Sequence, residues 1–136
     1  MNHDDDYEVW MNLALWVIAI VLAVVFAASG LMKISRAKEQ LLASGFGWAQ
    51  DFGPTAIPLI GVAEILGAIG LILPAAMHIA PILVSLAAVG LALVMAGAAA
   101  VHARRKEAPM IAMNAVLLAL AVVVAWGRFG SYPLTR

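Results

Sequence analysis

Glu64 is the residue on which chemistry in this chain would turn: it is the one charged group in the run Gly53 to Met77. An ionisable side chain at the centre of a hydrocarbon layer costs roughly 2.5–3.5 kcal/mol. The Leu, Ile and Val residues between Ile57 and Leu73 return roughly 3–6 kcal/mol on the same scale. The segment therefore inserts, with the carboxyl facing other helices and needing a partner. Gly61, Ala68 and Leu71 fall on its side of a helix. Gly67 and Gly70 form an adjoining small-residue strip that permits close helix approach. A proton-active or ligand-binding carboxyl is one reading. A protonated acid hydrogen-bonding across a bundle is the plainer one.

Few polar groups lie at a matching depth. Asn114 stands alone in the run Ala108 to Gly127, and Ser29 and Lys33 close the run that starts at Val9. His102 ends the run from Ile79. If these faces converge, Ser29, Lys33, Glu64, His102 and Asn114 make one pocket. Singly, Lys33 reads as a snorkelling anchor, His102 as an interfacial histidine and Asn114 as interhelical glue. Arg128 sits on nearly the same face as Asn114 but at the opposite boundary, suited to anchoring or to an anionic headgroup.

Other chemistries lack their residues. There is no cysteine, which removes thiol exchange, iron–sulfur clusters and thiolate zinc sites from this chain. His78 and His102 would stand about 36 Å apart on a continuous helix, so bis-histidine haem within one chain is disfavoured. His3 lies in an acidic tail read as flexible. No metal-ligand spacing, catalytic triad, phosphate loop or carboxylate pair emerges, and the net charge of zero leaves no nucleic-acid footprint.

The elements that must position these groups are four apolar stretches. Hydrophobic residues make up 65% of the 136-residue chain and charged residues 12%, outside the range of a soluble domain. About 20 helical residues cross a bilayer, and in lipid the backbone must satisfy its own hydrogen bonds. The expected fold is an all-α, four-helix transmembrane bundle forming a single domain over 1–136. Its spans fall near 9–33, 55–76, 79–102 and 109–128. The first span is not a cleavable signal, because its flank, Asp4, Asp5, Asp6 and Glu8, is acidic.

Six basic residues, Lys33, Arg36, Lys38, Arg104, Arg105 and Lys106, fall on one side, against Arg128 and Arg136 on the other. The positive-inside rule places the two basic loops in the cytoplasm and both termini outside. Trp10, Trp16, Trp126, Phe129 and Tyr132 on one side, and Phe46, Trp48 and Phe52 on the other, read as interfacial anchors. Within the 34–53 loop, Arg36 to Ser44 suits a short amphipathic helix on the membrane, stopped by Gly45 and Gly47.

The same residues carry a family resemblance. Phe26-Ala-Ala-Ser-Gly-Leu-Met-Lys33 resembles the entry motif of the DoxX-like family. Ile60-Gly-Val-Ala-Glu-Ile-Leu-Gly-Ala-Ile-Gly-Leu71 is similar to its glycine-framed intramembrane glutamate. Met95-Ala-Gly-Ala-Ala-Ala-Val-His102, with basic residues and Glu107 beyond, looks like its span-three ending, and Trp126-Gly-Arg128 like its closing motif. The likeness runs over residues 13 to 130. It implies a bacterial inner-membrane protein, with Lys33, Glu64, His102 and Arg128 at family positions. The broader family includes a subunit of an archaeal thiosulfate:quinone oxidoreductase and membrane partners of redox or detoxification proteins.

Three functions follow as expectations. The first is binding of a small lipophile, a quinone or an isoprenoid with its polar head near Glu64, or support of a membrane redox partner; a quinone is the one cofactor considered. The second is a non-enzymatic assembly or accessory subunit, which includes a homo-oligomer. The third is a small proton-coupled transporter, for which no inverted repeat with broken helices is visible.

Overall fold

A computed structural model describes residues 2–130 and 132–134; Arg136 lies outside the described residues. The chain forms α1 (His3–Ser35), α2 (Lys38–Ala43), a 3-10 turn (Gly47–Asp51), α3 (Ala56–Met77), α4 (Ile82–Arg104) and α5 (Ala108–Phe129). No strand occurs among the described residues. Four of these helices, α1, α3, α4 and α5, are long and apolar enough to cross a membrane. Neighbouring pairs α1–α3, α3–α4, α4–α5 and α1–α5 pack together and close a ring.

Each long helix buries one stripe and leaves the rest apolar. On α3 the buried residues are Ile57, Gly61, Glu64, Ala68, Leu71 and Ala75, a repeat of four and three that keeps one seam facing inward. Leu59, Leu66 and Leu73 on the other faces are exposed, which suits lipid and not water. The main core joins Leu22 and Phe26 of α1 to Leu71, Ala88, Leu91, Ala121 and Val124 of the other three helices.

Glycines set how closely the helices approach. A Cβ on Gly67 would lie 2.5 Å from Leu91, one on Gly70 2.8 Å from Ala87, and one on Gly127 2.6 Å from Leu15. Residue positions along the helices put these three contacts toward the ends that carry the chain termini. Gly90 and Gly97 of α4, by contrast, face open space. Close contacts thus hold the helices toward the termini, and Gly30 and Gly61 do the same for α1 and α3 toward the basic loops.

Two boundaries differ from hydropathy. α1 begins at His3 and not Val9, so His3 is helical rather than in a loose tail. Asn2 accepts from the His3 N–H, the Asp5 carboxylate accepts from the Asn2 N–H, and Asp4, Asp5 and Asp6 fill the first turn. Capping and the helix dipole favour that start. α4 begins at Ile82, later than expected, because His78 and Ala80 adopt left-handed backbone conformations in the turn before Pro81.

Candidate functional site

The crossing of α1 and α3 builds the centre of the site. Gly30 and Gly61 allow the two backbones to touch there, and the side chains one turn from each glycine meet. Lys33 Nζ lies 2.8 Å from Glu64 Oε1 and donates to Ser29 Oγ at 2.6 Å. Glu64 is 1% exposed and Lys33 14%. The first distance is that of a charge-assisted hydrogen bond. Lys33 therefore turns into the bundle and does not snorkel outward, because a fixed carboxylate across a close helix contact offers more than distant headgroups.

The pair stands in the wall of a cavity of about 580 Å³ that reaches all four long helices. Ser29, Lys33, Glu64, His102 and Asn114 all line it. The rest of the wall is apolar, including Phe26, Ile60, Val94, Met95 and Leu117. Val25 of α1, Leu59 and Ala63 of α3, Leu93 and Gly97 of α4 and Met113 of α5 line the cavity and are also exposed, so it opens onto the apolar outer surface of the bundle. Two buried polar atoms of the wall, Glu64 Oε2 and Asn114 Nδ2, have no hydrogen-bond partner among the described residues.

The loop between α1 and α3 supplies the floor. Phe46, Trp48 and Phe52 line the cavity, and Trp48 is buried within a small cluster with Leu41, Ala49 and Ile57. Its ring lies 5.3 Å from Lys33 Nζ, in range for a cation–π contact. Trp48 is thus part of the protein interior, with Phe46 and Phe52 half-buried beside it, so these aromatics pack against the bundle as well as lying at its basic end. The loop can fold inward because α2 stops at Ala43 and the chain turns at Gly45, whose φ of 91° suits glycine. Lys38 Nζ then donates to the Phe52 carbonyl at 2.7 Å, tying the loop's ends.

His102 links the cavity to the basic surface. It is 6% exposed, and its Nδ1 lies 3.3 Å from Glu107 Oε1. Arg105 Nε donates to the same oxygen at 3.0 Å, and Arg105 Nη1 approaches Asp51 Oδ2 at 3.4 Å. Glu107 orients both His102 and Arg105, a role that the residue's position in the sequence, five beyond a helical histidine, does not announce.

Arg128 is not brought into this cavity. Its guanidinium is buried at the other end of α5, where Nη1 donates to Asn12 Oδ1 at 2.7 Å and to the Tyr132 carbonyl at 3.0 Å. It holds the start of α1 and the segment after α5 together.

Fold and site define a four-helix membrane protein with a buried lysine–glutamate pair in a chamber walled by hydrocarbon. The sequence profile of the DoxX-like family matches residues 17–124. The chain belongs to the DoxX-like family. No curated protein and no solved structure gave a significant match.

Proposed function

We propose that this protein binds a small lipophilic molecule, of quinone or isoprenoid type, with its polar head at Lys33 and Glu64. The bound molecule would serve the chain itself or a redox partner in the same membrane. One observation carries the reading: a buried ion pair stands in an otherwise apolar cavity of about 580 Å³. Ligand pockets share that design, an apolar slot of roughly 300–1,000 Å³ with a few convergent polar groups. Exposed apolar lining residues open the cavity toward lipid, which lets a molecule dissolved there enter sideways. Ser29, His102 and Asn114 join Lys33 and Glu64 as candidate binding residues, while Arg128 has a separate role at the far end.

Mass spectrometry of lipids retained after gentle purification tests this. A lipophile held by the native protein and lost from folded Glu64→Leu is the expected result. Equal retention by both would refute the assignment of the site.

By the positive-inside rule the cavity belongs to the cytoplasmic half of a bacterial inner membrane, with both termini outside. The chain has no cysteine, so Ser44→Cys and Asp4→Cys can be labelled without background. An impermeant maleimide on intact cells should modify the second and spare the first.

Assembly is a second reading, favoured by Gly90 and Gly97. They lie two turns apart on α4, exposed and with open space where a Cβ would stand, as helix contact between chains requires. Native mass spectrometry finding only a monomer would remove it.

A further inference from the structure

The cavity's polar atoms specify the head group. Glu64 Oε1 is taken by Lys33, but Glu64 Oε2 and Asn114 Nδ2 are buried with no partner among the described residues. Both residues are more than nine-tenths buried and line the same cavity. A carboxylate oxygen only accepts and an amide nitrogen only donates. Among the fully buried side-chain atoms of the wall, one acceptor and one donor are thus left without a partner. Leaving either unmet in a low-dielectric site is costly, so a fitting head must both donate and accept.

Charge narrows the class further. Lys33 and Glu64 neutralise each other, so the chamber has no spare unit charge for an anionic or cationic head. An extra ion would enter without a counterion, which apolar walls oppose strongly. The remaining polar wall atoms do not alter this. Ser29, whose Oγ accepts from Lys33, and His102, whose Nδ1 lies beside Glu107, bring neither a further unit charge held in the chamber alone nor a further buried side-chain atom without a partner.

Resting on the proposal that the cavity holds a lipophile, we infer that the molecule it selects carries a neutral hydroxyl head. The hydroxyl hydrogen goes to Glu64 Oε2, and oxygen of the head accepts from Asn114 Nδ2. Prenyl alcohols and hydroquinones meet this requirement. An oxidised quinone, which only accepts, satisfies Asn114 and leaves Glu64 Oε2 unmet. If the bound species is a quinone couple, the site favours its reduced member.

Four probes with one tail test this: farnesol, its methyl ether, farnesoic acid and farnesylamine, with the full-length protein in nanodiscs and binding read by native mass spectrometry. Farnesol should bind about tenfold tighter than the ether, as expected for one hydrogen bond to a charged acceptor, and tighter than both charged probes. Glu64→Gln, which keeps the shape, should bring the alcohol-to-ether ratio close to one. Asn114→Leu should weaken alcohol and ether by the same factor. Equal affinity for all four heads would overturn the hydroxyl assignment and leave lipophile binding standing. Preference for the acid or the amine would overturn it too, by showing a net charge in the site. Failure of every probe to bind would remove the lipophile reading itself.

Discussion

Gly30 and Gly61 meet where α1 crosses α3, each occupying the space that a side chain on the other would need. A Cβ added to Gly30 would lie 2.5 Å from the Gly61 carbonyl oxygen, and one added to Gly61 2.7 Å from the Gly30 carbonyl oxygen. The same added atoms would press on the site: 3.3 Å from the Glu64 Cβ in the first case and 3.0 Å from the Lys33 Cβ in the second. The two glycines hold the ion pair in register.

Alanine at either position must therefore push backbone against backbone. Gly30→Ala or Gly61→Ala should cost about 1–3 kcal/mol, as overpacked interiors do, in reversible unfolding from mixed micelles. Gly90→Ala is the control, because nothing lies within 4 Å of its added Cβ. It should stay within about 0.5 kcal/mol of the native protein or gain slightly from helix propensity. Equal effects at all three positions would mean that the crossing contact does not matter.

Lys33 and Glu64 should respond unequally to removal of their partner. Lysine has a long stem near the end of α1 and can carry its charge outward, whereas the carboxyl of Glu64 is fixed deep in α3. Lys33→Met leaves the acid stranded and should cost about 3 kcal/mol, the scale for breaking a buried pair. Glu64→Leu should cost less. The double variant should recover part of the Lys33→Met loss, and a double-mutant cycle measures the coupling directly. Additive losses would show two independent residues.

How much of this could be read in the sequence depends on what fixes each side chain. The inward face of Glu64 followed from cost alone, since only the small-residue stripe through Gly61 and Ala68 could shelter it, and the described helix buries that stripe. The direction of Lys33 did not follow. A lysine at a helix end can point either way, and the choice depends on the Gly30–Gly61 crossing, a contact between segments some thirty residues apart. The packing of Trp48, with Phe46 and Phe52 beside it, was hidden for a similar reason. Loop aromatics between spans have the composition of a headgroup belt, and only the turn at Gly45 and the Lys38–Phe52 tie fold them under the bundle. The capped start of α1 was present in the Asn2 and Asp5 spacing but was hidden behind the acidic run.

Trp48 is the hinge of that inward fold. Trp48→Ala removes the ring that fills the cluster of Leu41, Ala49 and Ile57 and faces Lys33. A loss of about 3–5 kcal/mol is the usual scale for such a truncation in a core. Hydrogen exchange should rise across residues 38–53 while α4 and α5 stay protected. Unchanged exchange in the loop would place Trp48 at the membrane surface after all. Trp48→Phe, which keeps an aromatic face, should retain most of the protection.

Arg128 offers a separation of stability from binding. Fourteen residues of helix, about 21 Å, divide it from Asn114, and its partners are Asn12 and the Tyr132 carbonyl. Asn12→Leu leaves a buried guanidinium short of one acceptor and should cost about 1.5–3 kcal/mol, the range for hydrogen bonds to charged groups. Because Arg128 does not line the cavity, the affinity of the folded variant for farnesol should match that of the native protein. Loss of binding without loss of stability would tie the two ends of the bundle together and would require a route along α5 from Arg128 to Asn114.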